Sequence, residues 1–375
     1  MKKKKRKWVK VLLIIGSVIV ALIIAAIIFL TFWKPFGGKA SQEDKENYAS
    51  RATNYDGKIF HNEHDFDLLA DVDDNADDGV ISDKGVVPED AIPIIKPEYN
   101  DKLSVSDLQI TWFGHSSLMI QIHSMNILVD PVFSDRSSPV SFVGSKRFSE
   151  VPISAEDLPE LDVVIISHDH YDHLDYNTIK KIDSKVKKYI VPLGVENHLE
   201  RWGISKDKIQ NMAWWEETNV DGLTIACTPA KHYSGRSIND SYNTLWASWV
   251  LKDEYHQIFE SGDTGYDNHF EEIVEKYGKF DLALMDCSQY DLRWPNVHMN
   301  PEESFKAAKT LQADYVMPIH WSTFALANHP WDDPVERYIE AAKNDTMTVI
   351  TPLIGEIVRG DQLDSYQEHW WENVK

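Results

Sequence analysis

Five imidazoles and two carboxylates are the side chains best suited to chemistry: His168, His170, Asp172, His173, His232, Asp263 and His320. Four lie in one run, Ser167-His168-Asp169-His170-Tyr171-Asp172-His173-Leu174-Asp175, and the other three come singly, each just past an apolar stretch. This donor set is large enough for two divalent ions. Two ions about 3.5–4 Å apart hold a hydroxide at neutral pH and drive hydrolysis. Imidazole with carboxylate suits zinc, and also iron or manganese.

The elements that must position these donors are short strands. His168 follows 163–166, His232 follows Leu223–Thr228, Asp263 follows Gln257–Glu260 and His320 follows Tyr315–Ile319. Strands ending at one sheet edge bring their trailing loops together. An extended 168–173 run alternates its side chains. That places His168, His170 and Asp172 on one side and turns His173 toward a second ion. Further strands are expected at 109–113, 118–122, 126–129, 189–191, 245–251, 282–285 and 348–350, and helices at 178–188, 269–277 and 301–312. The pattern predicts an α/β or α+β layered domain over 108–360, followed by a tail at 361–375.

The bulk of the chain narrows the function. The 375 residues carry 38 Lys and Arg against 60 Asp and Glu, a net charge of -22. Seven of the cations fall in the first ten residues, so the remainder is more acidic still. Phosphate contacts need clustered Lys and Arg, which argues against a nucleic-acid partner. Residues 11–33 hold no charge and are long enough to cross a bilayer. The basic 1–10 segment before them places the N-terminus in the cytoplasm and the large domain outside, a single pass through the cell membrane. Residues 34–107 read as an acidic spacer. Within it, 71–79 resembles a calcium loop, but its glycine is misplaced and the twelfth-position Glu is missing. Cys227 and Cys287 sit in apolar runs and read as buried small hydrophobes, with a disulfide outside the cell as the alternative.

Taken with its surroundings, the His-x-His-x-Asp-His run resembles the metallo-β-lactamase superfamily. More narrowly, the chain resembles the branch of N-acyl-phosphatidylethanolamine-hydrolysing phospholipases D. The resemblance spans roughly 106–356. It is carried by Thr111-Trp112-Phe113-Gly114-His115, Asp130-Pro131-Val132-Phe133-Ser134, Trp214-Trp215-Glu216-Glu217, Thr228-Pro229-Ala230-Lys231-His232, Ser261-Gly262-Asp263-Thr264-Gly265-Tyr266 and Ile319-His320-Trp321-Ser322-Thr323. It implies a four-layer αββα sandwich and two zinc ions. His168, His170 and His232 would hold one ion, Asp172, His173 and His320 the other, with Asp263 bridging. The apolar span and the acidic spacer lie outside the resemblance. A homodimer is carried over from relatives in the branch.

These readings give an expected activity: a phospholipase D-like phosphodiesterase acting on N-acyl-phosphatidylethanolamine or a related lipid. Asp172 and Asp263 would orient the attacking hydroxide. The candidate proton donors to the leaving oxygen are a metal-bound water and His298, in Asn296-Val297-His298-Met299-Asn300-Pro301. Arg236 and Arg293 are the candidates for pairing with a phosphate. His115 is expected beside the ions, holding a ligand rather than serving as one, and Asp175 is expected to orient a ligand imidazole or to cap the following helix. Two other readings are a hydrolase of the same fold acting on a lactone, ester or sugar phosphate, and a non-catalytic metal-binding surface protein. A structural zinc site normally needs four closed ligands and no shared water, which argues against the last.

Overall fold

Apolar runs of four to six residues become strands buried on both faces, and their order along the chain builds two sheets. A computed structural model describes residues 2–70, 85–99 and 103–375; the acidic run 71–79 lies outside the described residues. Strands β1 (Leu108–Trp112), β2 (Leu118–Ile122), β3 (Met125–Val129), β4 (Leu161–Ile165), β5 (Val186–Pro192) and β6 (Ile209–Met212) form the first sheet. Strands β7 (Glu217–Val220), β8 (Leu223–Thr228), β9 (Ser248–Lys252), β10 (Gln257–Glu260), β11 (Leu282–Asp286), β12 (Tyr315–Ile319) and β13 (Thr348–Val349) form the second. The last strand, β14 (Ile357–Arg359), returns to edge the first sheet, giving the orders β14-β1-β2-β3-β4-β5-β6 and β13-β12-β11-β10-β9-β8-β7. The central strands are parallel from β3 to β6 and from β10 to β13. Burial on both faces explains why β11 reads as an unbroken apolar run up to Asp286, while β1 alternates Leu108, Ile110 and Trp112 with a buried Gln109 and Thr111.

Helices α1 (Lys2–Phe32) and α2 (Gln42–Arg51) precede the sheets. Helices α3 (Tyr176–Ile182) and α4 (Glu196–Arg201) pack Ile179, Ile182 and Leu199 against Val164 and Val191 of the first sheet. Helices α5 (His269–Tyr277), α6 (Pro301–Thr310) and α7 (Asp333–Ala342) cover the second with Phe270, Phe305, Ala308 and Tyr338. The layers are α, β, β, α, as the resemblance implied, and the central core lies between the sheets. Trp112, Trp202, Trp246, Trp249 and Trp321 are all buried packing residues. Cys227 and Cys287 are both buried free thiols.

Four sequence expectations change. The helix expected over 178–188 stops at Ile182, turns once through 183–185 and becomes β5, because Val186 to Val191 must supply an interior strand. Strands β6, β7 and β14 and helices α4 and α7 were not expected; the three strands are edges or neighbours of edges, with weak apolar signal. The segment read as a tail is part of the core: Leu363, Trp370 and Trp371 are buried, and the Trp371 indole donates to Glu336 at 2.6 Å. The segment read as a spacer packs in its first part. A capping box between Ser41 and Asp44 starts α2, which buries Tyr48 with Phe60 against Leu245 and Trp246.

The apolar stretch Lys10–Phe32 has mean hydropathy 3.3 and no burial, and among the described residues it is the one helix long and apolar enough to cross a membrane. Its end is fastened to the domain. Arg201 donates to the Thr31 carbonyl at 2.7 Å, the Trp202 indole to Lys34 at 2.8 Å, and Arg236 twice to Pro35 at 3.0 Å. Side chains from the domain thus satisfy carbonyls that a helix end otherwise leaves open. Gly37 follows at φ 81°, with the His198 ring where a side chain would stand.

Candidate metal centre

Every candidate ligand lies just past the C-terminal end of a strand, on the same edge of the sandwich. The first sheet delivers His115 after β1, Asp130 after β3 and the 168–173 run after β4. The second delivers His232 after β8, Asp263 after β10, Asp286 at the end of β11 and His320 after β12. The two edges are stitched by main-chain bonds: His320 N–H donates to His115 O at 2.9 Å, and His115 N–H to Trp321 O at 3.0 Å. Reaching this arrangement puts His115, Asp130 and His320 at φ 53°, 42° and 71°. Left-handed backbone at residues with a Cβ costs about 1 kcal/mol or more each and persists only where its surroundings enforce it. Gly262, at φ 53°, precedes Asp263; a side chain there would meet the Ala247 carbonyl at 2.7 Å and Ser167 Cβ at 2.8 Å.

Two donor clusters hold the expected ligands, and a third group, Asp263, Asp286, His298 and His320, overlaps them. His168, His170, His232 and Asp263 bring ligand atoms within 4.8 Å of one another, and so do His115, Asp172, His173 and His320. Asp263 faces both: its Oδ2 lies 3.8 Å from His168 Nε2, 3.8 Å from His232 Nε2 and 3.0 Å from His173 Nε2, and its Oδ1 lies 3.3 Å from His320 Nε2. The alternation expected for an extended 168–173 run is corrected. The chain turns there, with His173 and Leu174 N–H both donating to His170 O at 3.1 and 2.8 Å. The turn carries Asp172 away from His168 and His170 and into the second cluster.

A ring of carboxylates and carbonyls aims the imidazoles. His173 Nδ1 meets Asp130 at 2.7 Å, His320 Nδ1 meets Asp286 at 3.0 Å, and His232 Nδ1 meets the Val297 carbonyl at 2.9 Å. Each leaves Nε2 pointing into the site. His115 Nε2 reaches Asp172 at 2.9 Å, beside rather than between the clusters. Asp130 and Asp286 escaped the sequence reading; the available signal was a lone Asp ending an apolar strand, the pattern that revealed Asp263. Asn62, from the presumed spacer, brackets the His232 backbone at 2.8 and 3.1 Å. Asp175 caps α3, accepting from Asn177 and Thr178, and the imidazole-orienting role expected for it falls to Asp130.

The two arginines expected to meet a phosphate are committed elsewhere. Arg236 is buried, donating to the carbonyls of Pro35, Asp169 and Leu174 while stacking on Tyr171. Arg293 donates to both oxygens of Asp291 and lies over Trp294. Neither lines the cleft above the clusters, a cavity of about 390 Å³ bounded by residues that include His170, Asp172, Asp263 and His298. His298 stacks on His320 with ring centres 5.2 Å apart and meets Asp286 at 3.2 Å.

The clusters fit metal ions. His173 Nε2, His320 Nε2 and Asp263 Oδ1 are buried without a hydrogen-bond partner. Each orphaned polar atom costs about 1–3 kcal/mol unless another group satisfies it, and a divalent cation would satisfy all three. Burial holds His168, His170 and His232 below the usual histidine range, which makes them neutral donors. In the other half burial opposes charge, but Asp263 and Asp286 outweigh it and push His320 up to about 10. Asp263 and Asp172 likewise raise His173 against burial. Ions entering this half must expel protons, so affinity is expected to rise with pH by about tenfold per unit for each proton released. Titration calorimetry across buffers of different ionisation enthalpy measures that release; a pH-independent affinity would contradict it. Asp130→Asn is expected to lower metal affinity about 10–100-fold, because the amide accepts less well from His173; metal analysis after dialysis checks this.

Fold and site together define a metal-dependent hydrolase of αββα architecture. A family model described as the beta-lactamase superfamily domain matches residues 125–321, and the chain belongs to the metallo-β-lactamase superfamily. An uncharacterized protein of Mycobacterium tuberculosis is 41% identical over 289 residues, covering 76% of this chain and 77% of its own. The N-acyl-phosphatidylethanolamine-hydrolyzing phospholipase D 1 of Caenorhabditis elegans is 34% identical over 294 residues, covering 74% of this chain and 82% of its own. Among solved structures, a metallo hydrolase of Ignicoccus hospitalis superposes with TM-score 0.51 at 21% identity, covering 68% of this chain and 98% of its own. At that identity the likeness speaks for the fold alone.

Proposed function

We propose that this protein is a membrane-anchored, dinuclear zinc phosphodiesterase of phospholipase D type, releasing N-acylethanolamine from N-acyl-phosphatidylethanolamine or a related lipid. The observation that carries the reading is Asp263, one carboxylate set between two histidine clusters at the floor of a cleft. His168, His170 and His232 would hold one ion, Asp172, His173 and His320 the other. Two zinc ions would supply an activated water and neutralise phosphoryl charge. The cleft supports a lipid substrate: Leu68, Leu69, Tyr171, Tyr233, Trp294 and Leu326 line it, and among the described residues no Lys or Arg does. The Caenorhabditis elegans relative supports the same class. The helix over 11–33 would anchor the domain, with the N-terminus cytoplasmic and the cleft outside the cell.

In the reaction, water adds to phosphorus and the phosphorus–oxygen bond to the N-acylethanolamine breaks. The departing oxygen takes a proton, leaving phosphatidic acid. His298 stands in the cleft wall, held by Asp286, where it can give that proton. His298→Ala is expected to lower kcat about 10²–10⁴-fold on the lipid and far less on a nitrophenyl phosphodiester, whose leaving group needs no proton. An equal loss on both would remove the acid role. The direct test of the activity incubates the full chain with lipid extracts and follows N-acylethanolamine and phosphatidic acid by mass. Turnover of water-soluble esters or lactones only would overturn the reading.

A further inference from the structure

The connection between β3 and β4 holds residues that neither the metal centre nor the core uses. Residues 136–147 fold back as a narrow arch: Arg136 and Lys146 pair across it, Ser137 N–H donates to Ser145 O at 3.3 Å, and Arg136 donates to the Ser141 and Gly144 carbonyls at 3.1 and 2.6 Å. Its tip carries Phe142 and Val143, 77% and 58% exposed. Phe142 is the most exposed large apolar side chain among the described residues. An arch held this firmly does not present a phenyl ring to water by accident of disorder.

Two further contacts give the tip a direction. One flank meets the end of the apolar helix, where the Trp33 indole donates to Pro139 O at 2.7 Å. Between helix end and arch runs a groove of about 1350 Å³, where Phe32, Trp33 and Val140 are mixed with Lys34, Lys146 and Lys180. Five cations and two carboxylates line it, a local positive excess on a chain of net charge -22. The other flank borders the cleft: Ser137 lines it, and Ser145 donates to Ala325 O at 2.9 Å, next to Leu326 on the rim. Exposed aromatic and aliphatic side chains beside lysines match the boundary between lipid headgroups and acyl chains. A helix that crosses the bilayer would hold this surface at that depth.

We propose that the Phe142–Val143 tip inserts into the phospholipid leaflet from which the apolar helix emerges. The groove lysines then face lipid phosphates and the cleft mouth lies against the bilayer. This rests on reading the helix as a membrane anchor. The test uses the full chain in phosphatidylcholine–phosphatidylglycerol vesicles with nitroxide-bearing lipids, and an environment-sensitive fluorophore on Phe142→Cys. The native thiols, Cys227 and Cys287, are buried. Matched labels go on Ile19→Cys in the helix and Glu340→Cys on α7.

Quenching at 142 and 19 but not at 340 is the expected result. Quenching at 19 without 142 overturns the inserted tip and leaves the anchor standing; no quenching at 19 overturns both. A blue-shifted but unquenched label at 142 whose signal follows protein concentration means that a second copy covers the tip, and also overturns it. Independently, Phe142→Ser with Val143→Ser is expected to raise the apparent KM for vesicle-borne lipid about tenfold or more, with hydrolysis of bis(p-nitrophenyl) phosphate unchanged. Equal losses on both substrates would count against the proposal.

Discussion

Asp263→Ala is expected to lower hydrolysis about 10³-fold or more and to remove metal from both clusters at once. The carboxylate lies between the two histidine sets: its Oδ2 is 3.8 Å from His168 and His232 and 3.0 Å from His173, and its Oδ1 is 3.3 Å from His320. Without it, the His168, His170 and His232 cluster keeps no carboxylate and the other cluster keeps Asp172. Each cluster then lacks a shared anionic donor, and repulsion among ions and protonated rings opposes loading of both. Losing the several kcal/mol of charge stabilisation that metal supplies in the transition state gives the rate estimate. Metal content by emission spectroscopy and turnover on a phosphodiester should fall together. Full metal content with lost turnover would reduce Asp263 to orienting the water; normal values of both would remove it from the site.

Arg236→Ala is expected to destabilise the fold by about 3 kcal/mol or more, with loss of activity following from unfolding rather than from substrate binding. The guanidinium spans three segments. It donates to Pro35 beyond the apolar helix, and to Asp169 and Leu174 on either side of the metal-binding turn, and it lies over the Tyr171 and Trp202 rings at 4.1 and 5.3 Å. Removing it leaves those carbonyls without their donor. A phosphate-binding arginine would behave differently, raising KM at an unchanged melting temperature. Thermal melts beside KM measurements separate the two, and Arg236→Lys should recover little, since an ammonium cannot fork to three carbonyls.

The legible part of this protein was the part whose residue types are chemically expensive. Histidines packed at two-residue spacing are hard to explain except as ligands, and the strands before them are apolar enough to stand out. The contents of β1 to β4, the second half of β5 and β8 to β13 could therefore be read, as could the placing of donors at strand ends. What escaped depends on tertiary choices. Whether 168–173 extends or turns is set by hydrogen bonds to His170 O that no local propensity reveals. Asp130 and Asp286 look like ordinary strand-ending aspartates until the partner ring is in view. Arg236 is a cation in a loop beside a site, and only the fold shows that its fork is already filled. The segments at 42–60 and 361–375 carry acid and Gln enough to read as solvated, yet Tyr48, Phe60, Trp370 and Trp371 bury themselves.

The main-chain stitch between His115 and His320 has a mechanical consequence. The donor set is divided between halves of the sandwich, His168, His170, Asp172 and His173 from one and His232, Asp263 and His320 from the other. Bound ions would act as rivets through both plates, so prying the plates apart and emptying the centre are one event. Chelation should then loosen the whole body rather than a single loop, and catalysis would fail on warming at the seam before either sheet loses its weave.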